Sequence, residues 1–140
     1  MSTGQGTTWV VVADARRARI FDVEDAGLPP VLRSTVPAPP PEGRPHPPQH
    51  GWTHGSDPHP EHEERRFVQV LVQALEHGMA ENRFRNLVLV APPKLLGLLR
   101  ESLPRGLSER LRASTAKDWA HLADAELGQH VRPLVEIWPR

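Results

Sequence analysis

The chain has 140 residues, with 17 Lys+Arg against 17 Asp+Glu and no cysteine. That length suits one domain with a real core. The zero net charge argues against a protein held to nucleic acid mainly by bulk electrostatics, and the missing thiols exclude disulfides, thiolate catalysis and Cys-based zinc sites. Residues 1–8 (MSTGQGTT) lack the charged and apolar regions of a signal peptide. No apolar run approaches the roughly 20 residues that cross a bilayer. A soluble, cytoplasmic protein is therefore expected.

Residues 1–6 are small and polar and read as a flexible tail, followed by one α/β domain over 7–140. Residues 9–13 (WVVVA) form a continuous β-branched run, the first strand. After a short connection, residues 18–23 (ARIFDV) alternate, with Ile20 on one face and Phe21 and Val23 on the other. Asp25, Ala26 and Gly27 make a turn, and residues 31–36 (VLRSTV) give a third strand interrupted by Arg33 and Ser34. Short connections between three strands imply an antiparallel meander.

Residues 37–60 hold a large share of the 16 prolines and form an inserted loop. A structureless loop this long is usually functional or disordered. A proline at Pro58 or Pro60 suits a helix start. Phe67, Leu71, Leu75 and Met79 then fall on one helical face, with Glu61, Glu63 and Glu64 in the first turn, where the helix dipole favours them.

Residues 86–100 (NLVLVAPPKLLGLLR) organise the rest. The apolar run at 87–91 reads as a strand covered on both faces. Pro92 and Pro93 end it and open a helix striped with Leu95, Leu96, Leu98 and Leu99. Residues 103–106 (LPRG) break the pattern, 110–115 (RLRAST) give a weak last strand, and 124–131 a short helix with Asp124 as a candidate cap and Pro133 bending or ending it. The expected fold is a single α/β domain. It has a mixed five-stranded sheet in the order 3-2-1-4-5, as in ribonuclease H-like proteins, with about three helices.

The stretches WVVVADARRARIF, ERRFVQVLVQALEHGMAENRFRNLVLVAPPKLLGLLR and AKDWAHLADAEL resemble the "protein required for attachment to host cells" family. The resemblance covers nearly the whole chain outside the Pro/His loop. That family looks like a bacterial relative of the middle domain of archaeal and eukaryotic class-1 peptide chain release factors. In those factors a Gly-Gly-Gln loop ahead of the long helix reaches the peptidyl-transferase centre. Here the corresponding loop has Gly51-Trp52 and Gly55-Ser56 but no Gly-Gly-Gln, so peptide release by that chemistry is not implied.

Three groups of residues are candidates for function. In open α/β sheets ligands bind at the carboxyl ends of the strands, where strand order reverses. Asp14, Arg16, Arg17, Lys94, Lys117 and Asp118 fall at such ends and suit a small anion, with the N–H groups opening the helix after Pro93. They read equally as a turn cap and solvated charges; a divalent-metal nuclease built from Asp14, a glutamate of 61–64 and Asp118 is a remoter version. His46, His50, His54, His59 and His62 could ligate zinc, nickel or copper. However, Pro47, Pro48 and Gly51 forbid the helix that their spacing needs, so the cluster reads as a weak chelator or a titrating polar loop. Trp52 either anchors a partner, such as the ribosome, RNA or another protein, or folds back on the core. No catalytic residue and no cofactor is assigned. A non-enzymatic binding module leads, ahead of an enzyme or sensor using the strand-end crevice and ahead of a loop-borne metal binder.

Overall fold

A computed structural model describes residues 7–24, 30–40, 60–119 and 121–136. Strands β1 (Thr8–Ala13), β2 (Arg17–Val23) and β3 (Val31–Pro37) are followed by helix α1 (Pro60–Ala80), strand β4 (Asn86–Ala91) and helices α2 (Pro93–Ser102) and α3 (Arg105–Arg110). Strand β5 (Leu111–Ala116) and helix α4 (Asp124–Glu136) complete the order. They build one five-stranded sheet in the order β3-β2-β1-β4-β5. β1 is antiparallel to β2 and parallel to β4, β2 is antiparallel to β3, and β4 is parallel to β5.

The β1 and β4 runs lack alternation because both faces of these strands are covered. On one face Trp9, Val11, Ile20, Leu87 and Leu89 pack beneath α1, α2 and α3, which contribute Phe67, Leu71, Leu75, Leu95, Leu99 and Leu107. On the other, Val10, Val12, Phe21, Val23, Val88 and Val90 meet Leu127 and Val131 of α4, with Trp119 and Leu122 at the margin. The split of Ile20 from Phe21 and Val23 follows the period-2 reading of β2.

Several local expectations need correction. The break at 103–106 is followed by a helix, making four among the described residues. Pro104 is the N-cap of α3, and one short turn buries Leu107 fully. Arg110 ends α3 rather than opening β5. Pro133 lies inside α4 instead of ending it. Both Pro133 and Gln129, whose carbonyl loses its helical partner, are exposed, so water can serve that carbonyl. Asp124 is not the cap: Leu127 N–H donates to the Ala123 carbonyl (2.8 Å), and Glu126 Oε1 accepts from Ala123 N–H (3.3 Å). The inserted loop is also shorter than 37–60. Pro37 closes β3 and Pro60 opens α1, while Ala38 N–H donates to the Arg16 carbonyl (2.8 Å) and Arg66 Nη1 to the Pro40 carbonyl (2.9 Å). Residues 41–59 lie outside the described residues.

Candidate functional site

Because β1, β4 and β5 are parallel, their carboxyl ends share one edge of the sheet. Val12 is level with Val90, and Ala91 with Ala116. Lys117 N–H continues the ladder to the Ala91 carbonyl (3.0 Å). β2 begins and β3 ends on this edge, α1 and α2 start from it, and strand order reverses between β1 and β4. This is the place where an open α/β sheet leaves a crevice.

Asp14 is committed to the β1–β2 connection. Its Oδ1 accepts from Arg16 N–H (2.8 Å) and Arg17 N–H (2.9 Å), and its own N–H donates to the Arg17 carbonyl (3.0 Å). A short carboxylate that satisfies two backbone donors makes a tight turn without glycine. Of the two readings of Asp14, this geometry is that of the turn cap. The turn carries Arg16 and Arg17 outward, both exposed. Lys94 is exposed in the first turn of α2, and Lys117 and Asp118 are exposed beyond β5.

The start of α2 is unusually open. Pro92 is its N-cap without a side-chain cap, Pro93 is in its first turn, and no acid lies there. Leu96 N–H is satisfied by the Pro92 carbonyl (2.8 Å), so the N–H groups of Lys94 and Leu95 are those that lack an intrahelical acceptor. By contrast α1 begins with acids in its sequence, Glu61, Glu63 and Glu64. One oxygen of the last, Glu64 Oε1, is buried without a hydrogen-bond partner. What the edge offers is cations and open N–H groups, the chemistry of holding an anion.

The loop candidates fare differently. Trp52, His46, His50, His54 and His59 lie outside the described residues. His62 is exposed in the first turn of α1. Among the described residues no three His, Asp or Glu side chains gather as a metal site.

Sequence reasoning missed Arg19. It occupies the apolar face of β2 beside Phe21 and Val23 and is only 2% exposed. Its Nη1 donates to the Leu122 carbonyl (2.8 Å) and to Asp124 Oδ1 (3.0 Å), and its Nη2 reaches the Trp119 carbonyl (3.5 Å). One buried guanidinium thus fixes the segment from Trp119 to the start of α4. Trp119 in turn meets His130 edge-on, with ring centroids 5.2 Å apart. A charged residue at an apolar-face position was the available signal.

The described residues form a small α/β domain with exposed charged groups at the carboxyl edge of its sheet. The chain belongs to the family "Protein required for attachment to host cells", whose model matches residues 9–131. No curated protein matches the sequence. Among solved structures the chain is similar to the archaeal translation termination factor aRF1, with 9% identity and a TM-score of 0.50, covering 93% of this chain and 39% of that one. It is also similar to S. cerevisiae Dom34, a translation termination-like factor involved in RNA quality control pathways, with 10% identity and a TM-score of 0.49, over 94% of this chain and 34% of that one. At these identities the likeness is one of fold, and the chain spans well under half of either protein. Among the described residues no helix is long and apolar enough to cross a membrane.

Proposed function

We propose that this domain is a non-enzymatic binding module related to the middle domain of translation termination factors, associating with ribosomes through the segment between β3 and α1. The observation that carries this reading is the extent of the fold likeness, 93% of the chain laid onto a translation termination factor. The absence of Gly-Gly-Gln from the segment that precedes the long helix argues for binding rather than peptide release. The segment leaves the sheet at Pro37 and returns at Pro60, so it starts and ends at the strand-end edge. Cosedimentation through a sucrose cushion tests the reading. The full chain should pellet with ribosomes, and a variant with residues 41–59 replaced by a short Gly/Ser linker should stay in the supernatant. Equal pelleting of both variants, or of neither, would sink it.

A second reading, a small-anion binder at the strand-end crevice, is favoured by one specific observation, the uncapped and acid-free start of α2. An anion there gains the N–H groups of Lys94 and Leu95 and the Lys94 ammonium, at about 1–3 kcal/mol per charge-assisted contact. Crystals soaked in phosphate should show density at α2 and none at the acid-rich start of α1. Density at α1 alone, or none at all, would remove this reading and the enzyme hypothesis that depends on it.

A further inference from the structure

The opposite edge of the sheet carries a second charged feature, distinct from both surfaces above. There β4 and β5 begin, and three arginines lie close to Asn86 along the chain or across the ladder. Arg85 precedes Asn86, and its N–H donates to the Thr7 carbonyl (3.0 Å), which fixes it beside the start of β1. Arg110 ends α3 immediately before Leu111, the residue level with Leu87. Arg112 is displaced by an irregularity in the ladder: Leu87 pairs with Leu111 but Val88 with Ala113, leaving Arg112 out of register. Such bulges re-aim a side chain. This one sends the Arg112 guanidinium to Asn86, where Nε donates to Oδ1 (2.8 Å) and both terminal nitrogens remain open. From strand spacing, the three Cα atoms lie within about 10 Å of one another.

The carboxylates of this region are engaged elsewhere or set apart. Glu81 bonds Arg83 Nε (3.1 Å) and His77 Nε2 (3.1 Å). The Arg83 hydrogen bond foremost, then the His77 charge, holds its carboxyl below the usual range. Glu109 pairs with Arg105 (3.4 Å). Glu24 follows β2, on the far side of β1 from β4. Among the described residues neither the Arg85 nor the Arg110 side chain has an ion-pair or hydrogen-bond partner. Three guanidinium groups without an ion-pair partner therefore share one edge of a chain with no net charge.

We propose that Arg85, Arg110 and Arg112 form a docking surface for the phosphodiester backbone of a nucleic-acid strand. Guanidinium forks match phosphate oxygens in pairs. A protein partner would need an apolar anchor at the centre of the patch. The exposed large apolar residues among those described, Val31 and Val70, lie on β3 and α1 instead. With no aromatic side chain among the three, the surface reads backbone and not base, so binding is indifferent to sequence.

Fluorescence anisotropy with a labelled 12-nucleotide oligouridine and an oligothymidine of equal length tests this on the full chain. Both strands should bind. With three phosphate contacts at roughly −0.7 each in the log–log salt slope, affinity should fall by about tenfold or more between 50 and 200 mM KCl. Arg85→Gln with Arg110→Gln should weaken binding by roughly tenfold or more and flatten the slope to about one contact. Arg112→Lys keeps the charge but loses the fork and should weaken binding with less change in slope, whereas Arg33→Gln on β3 should change neither. Circular-dichroism melts should match the parent for the Arg85 and Arg110 variants, whose side chains hold no other part of the fold. No binding at 50 mM KCl, parental affinity in the double variant, or equal competition by polyglutamate would each overturn the proposal. Repeating the ribosome cosedimentation with the Arg85→Gln and Arg110→Gln double variant beside the 41–59 replacement keeps the two readings distinguishable, because each change removes only one of the two binding surfaces.

Discussion

Replacing Arg19 by alanine should lower stability by about 2–4 kcal/mol, because it deletes hydrogen bonds from a buried charged donor and the apolar stem that carries it. The guanidinium binds the carbonyls of Leu122 and Trp119 and the carboxylate of Asp124, roughly a hundred residues away in sequence. Asp124 is well solvated, with 57% of its side chain exposed, so its loss as an ion pair costs little. The larger part comes from the Leu122 carbonyl, which loses its donor, and from the buried stem, while the Trp119 carbonyl keeps the Leu122 N–H (3.1 Å). The melting midpoint should fall by roughly 10 °C. Hydrogen exchange should locate the damage, with amides from 119 to 127 losing protection before those of β1 and β4. Arg19→Lys should recover part of the loss, since an ammonium keeps the charge without the fork. A variant within about 0.5 kcal/mol of the parent would show that α4 is held by Leu127 and Val131 alone.

Gly78→Ala should also destabilise, by about 2–3 kcal/mol, against the ordinary preference of helices for alanine. A Cβ on Gly78 would stand 2.4 Å from Trp9 Cη2, 2.6 Å from Trp9 Cζ3 and 3.3 Å from Phe84 Cε1. The indole has little room to yield. It stacks on Phe84 with centroids 4.6 Å apart, and its Nε1 donates to Asp22 Oδ1 (3.0 Å). Asp22 is held in turn by Arg33 Nη1 (2.8 Å). The helix–sheet spacing at the end of α1 is set by this contact. Gly97 in α2 is the internal control, because a Cβ there would meet nothing within 4 Å. Gly97→Ala should therefore stabilise, by up to about 1 kcal/mol. Chemical denaturation of the two variants checks the pair. If both alanines stabilise alike, the Trp9 contact is softer than its geometry implies. Adding Trp9→Leu to Gly78→Ala should restore part of the loss by vacating the space that Cβ requires.

Much of the fold was legible from periodicity because its strongest signals are local. The β1 and β4 runs are continuous since both faces are covered, and the α1 stripe of Phe67, Leu71 and Leu75 points at one layer. Strand order followed from short antiparallel connections and right-handed crossovers. α3 was not legible: six residues are too few to show a helical period, Gly106 lowers the propensity of the rest, and the burial of Leu107 is a tertiary contact. Gly106 itself sits where a Cβ would come within 3.1 Å of Met79 Cε, a contact between elements. The helical status of Pro133 likewise depends on which side of α4 faces water.

The candidate site divides in the same way. The sequence by itself determined that Asp14, Arg16, Arg17, Lys94, Lys117 and Asp118 follow strand ends, because apolar runs and prolines mark where strands stop. It also determined that thiol chemistry is absent and that no Gly-Gly-Gln precedes the long helix. Only the tertiary structure decided that Arg19 is buried against Leu122 and Asp124, and that Arg112 is bonded to Asn86. The reason is physical. Where a strand ends depends on its own residues, whereas the partner of a charge depends on residues that the chain brings back from 25 to more than 100 positions away.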